Sequence, residues 1–164
     1  MRSADLKLLR WMRTTWHTPG MESAAQALGK AGNNGLIWFL LGVALALLDP
    51  SRRESWLICA VLGPLAIGLN YLIKLAVQRP RPVLEGLPPL GGAPSSLSFP
   101  SAHATASFAV ATAMFRVDPA TAGTFVVAIA IALGRPYLGM HYPSDVLAGA
   151  FIGVALGLIV PLSI

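Results

Sequence analysis

Residues 56–82 read WLICAVLGPLAIGLNYLIKLAVQRPRP. The stretch from Trp56 to Val77 carries one charge, Lys74, near its end. It is long enough to cross a bilayer as a helix, which takes about 20 residues. Pro64 and Asn70 interrupt it, and an intramembrane helix tolerates both where neighbouring helices meet the freed polar groups. Past Val77 the composition switches to cations and prolines, and residues 78–100 form a long Pro- and Gly-rich loop. A loop of that length without structure of its own is usually functional.

Outward from this span the pattern repeats. Leu36 to Leu48, with part of 31–35, makes a first span. A third begins near Pro100 and runs to Phe115. Its start is rich in Ser, Thr and Ala, which suits a helix packed inside a bundle. Ala120 to Leu133 makes a fourth, followed by a polar loop from Gly134 to Ser144. Asp145 to Ile164 makes a fifth, with Gly149, Gly153 and Gly157 at four-residue spacing as a close-packing face. That face packs within the chain, the alternative being a dimer through the same glycines. Ahead of the spans, residues 4–16 place Leu6, Leu9 and Met12 or Arg13 near helical spacing, among Lys7, Arg10, Trp11 and Trp16. This reads as an amphipathic helix in the membrane interface or as an ordinary helix packed on the protein. Residues 20–34, with Gly20, Gly29, Gly32, Asn33 and Asn34, read as a second interfacial piece and turn. The expected fold is all-α: one domain over 1–164, an integral membrane bundle of about five transmembrane helices behind N-terminal interfacial helices at 1–34.

Composition agrees. Hydrophobic residues make up 55% of the 164 residues and charged residues 12%, against about a quarter charged in soluble domains. The net charge of +5 sits between apolar runs, which argues against a nucleic-acid partner and suits anionic lipids or a phosphate substrate. Cys59 is the single cysteine, so no internal disulfide framework is expected. Residues 1–20 lack the apolar core of a signal peptide, and no cleaved targeting segment is expected. Five spans put the loops at 78–100 and 134–144 on one side, with the N-terminus. Arg2, Lys7, Arg10, Arg13, Lys30 and Arg79 on that side outnumber Arg52, Arg53 and Arg116 on the other, which favours the cytoplasm for it. Nine Arg against three Lys, with many Ala, hints at a GC-rich bacterium, hence a multi-pass protein of the plasma membrane.

Two of the three histidines, His103 and His141, stand at span entrances. Lys74, Arg79, Arg81, Arg135 and Asp145 lie near them in the same loops and span ends. Singly, each cation could be a snorkelling anchor. His141 and Asp145, four apart at a helix start, can share a face, with the carboxylate fixing the imidazole tautomer or making a structural hydrogen bond. His103 falls where a helix begins, where backbone N–H groups attract anions. Arg79 is a headgroup contact or a surface charge, and Ser144 reads as a helix cap. No cluster of carboxylates or Cys/His ligands suggests a metal, and His17 is assigned no chemistry.

Three motifs complete the picture: Lys74, six residues, then Arg81-Pro82; Pro100-Ser101-Ala102-His103; and Gly134-Arg135, then His141 and Asp145 (74–82, 100–103, 134–145). In order and spacing they resemble the signature of the type-2 phosphatidic acid phosphatase superfamily, with Ala102 in place of a glycine and Gly134 in place of a serine. The resemblance implies a metal-independent lipid phosphatase without a cofactor. In that family His141 would attack phosphorus and form a phosphohistidine, Asp145 would orient it, and His103 would protonate the leaving group. Lys74, Arg81, Ser101 and Arg135, with the backbone at Ala102, would hold the phosphate. The lipid could be a polyprenyl diphosphate, phosphatidylglycerophosphate, phosphatidate or a polyprenyl-linked phosphoribose, the last used by short actinobacterial members. Other readings are a lipid-to-lipid phosphotransferase and a small transporter. The family commonly has six spans, so the first is expected here as the reduced segments at 4–30, leaving a lateral opening for a lipid tail.

Overall fold

In a computed structural model, residues 2–15, 17–92 and 96–163 are described. The expectations placed on Trp16, the Arg2 side chain, residues 93–95 of the long loop and Ile164 lie outside them. All regular structure among the described residues is helical: α1 (Arg2–Thr14), α2 (Pro19–Ala31), α3 (Leu36–Leu48), α4 (Arg53–Val77), α5 (Ala102–Val117), α6 (Thr124–Tyr137) and α7 (Pro143–Ile159), with short 3-10 turns at 33–35, 50–52 and 119–123.

α5 is the central element and packs on α4, α6 and α7. Ala104, Ala106, Ala109, Val110, Ala111, Ala113 and Met114 along it are buried. Its small and hydroxylated side chains let three neighbours approach closely, and its polar groups find partners inside the bundle. Trp38 Nε1 on α3 donates to Ser107 at 3.0 Å, and Asn70 on α4 donates to Thr105 at 2.9 Å. The Asn70 that interrupts the apolar pattern is thus a hydrogen bond to α5. The flanks of the bundle expose large apolar side chains: Leu48 is 80% exposed, Phe151 77% and Val126 70%. Apolar outside and hydroxyl-lined inside is the arrangement of a bundle surrounded by lipid.

The glycine face of α7 is spent within the chain. A Cβ on Gly149 would stand 2.6 Å from the carbonyl of Ser101, just ahead of α5, and one on Gly157 2.5 Å from that of Ala109 within it. Gly153 likewise stands against Thr105 and Ala109 of α5.

Two segments, Pro50–Val77 and Pro119–Tyr137, are each long and apolar enough to cross a membrane alone. α2 with Asn33–Leu48 passes as a third, bent by 53°. Several boundaries move from those expected. α6 begins at Thr124, because Asp118 accepts from Ala120 N at 2.8 Å and sets a 3-10 turn first. It runs on through Gly134, Arg135 and Pro136 instead of yielding to a loop, and ends where Leu138 N closes on the Gly134 carbonyl at 3.0 Å. α7 starts at Pro143, in the first-turn position that suits proline.

The N-terminal helices also differ from plain interfacial segments. α1 packs on α6 and α7, and Leu9 is buried. α2 packs along α6. Gly29 and Gly32, which suggested a turn, are contact points: a Cβ on Gly29 would stand 2.7 Å from Arg135 Nη1, and one on Gly32 3.1 Å from the His103 ring. Between α1, α2 and α6 lies an apolar cavity of about 420 Å³, lined by Trp11, Met12, Met21, Ala25, Leu133 and Gly134 among others.

Candidate active site

The end of α4, the starts of α5 and α7 and the end of α6 bring the three motifs together at one end of the bundle. His141 is its centre, on the turn between α6 and α7 and only 2% exposed. Its Nδ1 lies 3.4 Å from Asp145 Oδ2, the long edge of hydrogen-bond reach, and Nδ1 has no closer partner. Its Nε2 lies 3.3 Å from Arg81 Nη1. A guanidinium can only donate, so Nε2 accepts, and the ring proton belongs on Nδ1, facing the carboxylate. Burial pushes the imidazole down to about 4 against the upward pull of Asp145, with the Arg81 charge acting with burial. The ring is therefore neutral at pH 7, with its lone pair directed at a cation.

Asp145 is fully buried. Its Oδ2 accepts from Ser98 Oγ and, at 3.0 Å, from Tyr142 N; its Oδ1 accepts from Arg79 Nη1 at 2.6 Å. The Tyr142 bond is half of a capping box that fixes the carboxylate at the head of α7.

Lys74 donates to the carbonyls of Leu97 and Ser98 at 2.6 and 3.3 Å. Arg81 donates to the carbonyls of Ser96 and Met140 at 2.8 and 2.5 Å. Arg135 is buried against Met140 Sδ at 2.7 Å, and its Nε has no partner. Among the described residues none of these three cations is ion-paired. Lys74 and Arg135 are buried and Arg81 half-buried, and such cations held only by neutral groups are costly unless an anion joins them.

Ser101 is the N-cap of α5, its Oγ accepting from Ala104 N at 3.5 Å. Ala102 opens that helix with helical backbone and no positive φ, so the conformational freedom of a glycine is not required there. His103 is brought to the site's edge but not into contact with His141. It faces α2, and since a carbonyl only accepts, its Nε2–H donates to Gly29 O at 3.0 Å. The Cβ direction at Gly134 points to Ala25 on α2 at 3.7 Å. A side chain there would enter the α2 contact, so the hydroxyl absent from this position is not missing from the cluster around His141.

Sequence reasoning missed Ser98 and Asp5 and misread two neighbours. Arg79 is not a free surface charge, because it bridges Asp145 and Asp5. Ser144 is no cap; its hydroxyl donates to Asp5 at 2.5 Å and accepts from Arg79 at 2.8 Å, while Tyr142 holds the N-cap position. His17 stacks on Tyr137 at 4.1 Å. Among the described residues no three His, Cys, Asp or Glu side chains are grouped to hold a metal ion.

Comparison with known proteins gives matches over most of the chain. The PAP2 superfamily profile matches residues 54–164. A decaprenylphosphoryl-5-phosphoribose phosphatase of Mycobacterium tuberculosis is 38% identical over 142 residues, 87% of this chain and 80% of that protein. Among solved structures, Aquifex aeolicus LpxE superposes with a TM-score of 0.77 at 26% identity, covering 94% of this chain and 92% of that one. The transmembrane PAP2 type phosphatidylglycerolphosphate phosphatase of Bacillus subtilis superposes with a TM-score of 0.74 at 22% identity, over 96% and 83% of the two chains, and so shares the fold.

Proposed function

The chain belongs to the PAP2 superfamily, and from that premise we propose that it is a membrane lipid phosphatase working through a phosphohistidine on His141. The observation that carries this reading is the neutral imidazole, Asp145 on one nitrogen and Arg81 on the other, among three cations without a counter-ion. A phosphate entering between His141 Nε2 and Arg81 would supply that counter-ion. Arg81 and Arg135 would each grip oxygens in pairs, and Lys74 would add a point charge. Ser101 and the N–H groups opening α5, including that of Ala102, complete the cradle. His141 attacks phosphorus, Asp145 stabilises the imidazolium that forms, and the cations take up the charge on the equatorial oxygens. His103, acting as the imidazolium and keeping Nε2–H on the Gly29 carbonyl, protonates the leaving oxygen from Nδ1. Water then attacks the phosphohistidine, with His103 now accepting its proton, and phosphate leaves.

His103 faces α2, so the leaving group belongs on the α2 side. The apolar cavity between α1, α2 and α6 would receive the lipid chain there, at a volume ordinary for a ligand site. The relative that acts, by its name, on decaprenylphosphoryl-5-phosphoribose supports a polyprenyl-linked phosphoribose as substrate. In this reading α3 to α7 make five crossings of a bacterial plasma membrane, α2 and α3 forming one bent crossing, with the site on the cytoplasmic face.

The test is phosphate release by purified protein in detergent with EDTA, offered prenyl-linked and glycerol-linked lipid phosphates. Release that persists in EDTA and disappears in His141→Ala is the expected result. Undiminished release by His141→Ala would refute the assignment.

A further inference from the structure

α1 lies ahead of residues 54–164, the part that the superfamily profile matches, yet it reaches the catalytic carboxylate. Asp5 Oδ2 accepts from Arg79 Nη2 at 2.9 Å and from the Ser144 hydroxyl at 2.5 Å, and its Oδ1 accepts from Ser144 N at 3.1 Å. The other arm of Arg79 donates to Asp145 Oδ1 at 2.6 Å. The guanidinium also sits 3.8 Å from the Tyr142 ring centroid, which fixes its plane. One arginine thus joins two carboxylates, one on the N-terminal helix and one beside His141. Arg13 pins the far end of α1, donating to the Pro88 carbonyl at 2.7 Å.

Resting on the phosphatase reading above, we propose that Asp5 and Arg79 are positioning residues for that reaction: by dividing the Arg79 charge between two carboxylates, Asp5 sets how much negative charge Asp145 presents to His141. The charged groups that act on His141 are Lys74 on α4, Arg81 on the long loop and Asp145 on α7; His141 in turn acts on His103 on α5, as does Arg135 on α6. Arg79 reaches His141 only through Asp145. Burial opposes the charge on Asp5, but hydrogen bonds from Ser144 and Arg79 outweigh it and hold the carboxyl below its ordinary value, so the bridge is ionised at working pH.

The two ends of the bridge have opposite electrostatic signs, and that supplies the test. Asp5→Asn keeps hydrogen-bonding atoms but leaves the Arg79 charge undivided on Asp145, making His141 less basic. Arg79→Gln removes that charge and makes His141 more basic. In detergent, with a lipid phosphate as substrate, the acid limb of kcat/KM should move down for Asp5→Asn and up for Arg79→Gln, each by roughly one pH unit. At pH 7 kcat should fall about tenfold or more in both, as when a group orienting an active histidine is lost, with KM unchanged. Shifts in the same direction, no shift, or a rise in KM at constant kcat would overturn the inference. Inactive wild-type protein, or an active His141→Ala, would remove the phosphatase reading and this inference with it. Active wild type beside unaltered bridge variants would remove this inference alone.

Discussion

Adding one methyl group at Gly153 should cost both stability and turnover, because the backbone of α5 stands where the methyl must go. A Cβ built there falls on the Thr105 carbonyl oxygen, 2.9 Å from Ala109 N and 2.9 Å from Phe108 Cβ. Carbon–carbon contacts are optimal at about 3.5–4.0 Å, so Phe108 must retreat by at least roughly 0.6 Å, and the Thr105 carbonyl by more. Two of the three obstacles are main chain, so rotating a side chain cannot relieve them; α5 and α7 must separate by roughly 1 Å. Overpacking of this kind costs about 1–3 kcal/mol. α5 carries Ser101 and His103, and α7 carries Asp145, so the same displacement spreads the site. A misplacement of about 1 Å can cost on the order of 100-fold in rate. Gly68, in α4 with nothing within 4 Å of its Cβ position, is the matched control; alanine there should gain up to about 1 kcal/mol from helix propensity. Thermal unfolding in detergent and kcat, measured on Gly153→Ala and Gly68→Ala together, decide the matter. A Gly153→Ala protein as stable and active as Gly68→Ala would mean that α5 and α7 are not in the close contact described.

Three further outcomes follow from the site. The folded-state pKa of His141, about 4, lies below the ordinary 6.5, so the unfolded chain binds the extra proton between those values. Its contribution to stability is complete above pH 6.5 and falls by roughly 1 kcal/mol per unit as pH drops towards 4; melting from pH 7 to 4.5 should decline less steeply in His141→Gln. Arg135→Met removes a buried cation without a counter-ion, so it should raise the melting temperature in phosphate-free detergent while lowering kcat/KM at least 100-fold; lower stability would mean that Arg135 is a structural residue. With His103 as general acid, His103→Ala should slow hydrolysis of an alkyl phosphate far more than that of a nitrophenyl phosphate, whose leaving group needs no proton. Equal losses on the two substrates would take that role from His103.

The legible parts of the sequence were those written in short-range spacing. Lys74 to Pro82, Pro100 to His103 and Arg135 to Asp145 are local patterns, and the apolar runs placed them at span ends, which the fold brings together. What stayed hidden depends on long-range partners. Asp5 meets Ser144 139 residues away, and a single aspartate on an amphipathic helix carries no local sign of that. Gly29 and Gly32 read as turn formers because glycine's backbone freedom is the commoner reason for its use; here they make room for Arg135 and His103. Pro136 suggested a helix end one turn too early; the helix instead carries it inside its last turn and ends where Leu138 N meets the Gly134 carbonyl. What surrounds Ala102 and Gly134 was equally hidden: the backbone at 102 is helical, and the Cβ direction at 134 points to α2.

The proposed reaction is covalent, with phosphate passing through His141. Its most direct test is to mix enzyme with lipid substrate labelled in the phosphate, quench in alkali within one turnover, and locate the label by peptide mass spectrometry. The account predicts an acid-labile, alkali-stable phosphate on the peptide containing His141, absent in His141→Ala and formed more slowly in Asp145→Asn. Steady phosphate release with no labelled histidine, or with the label on His103, would contradict it.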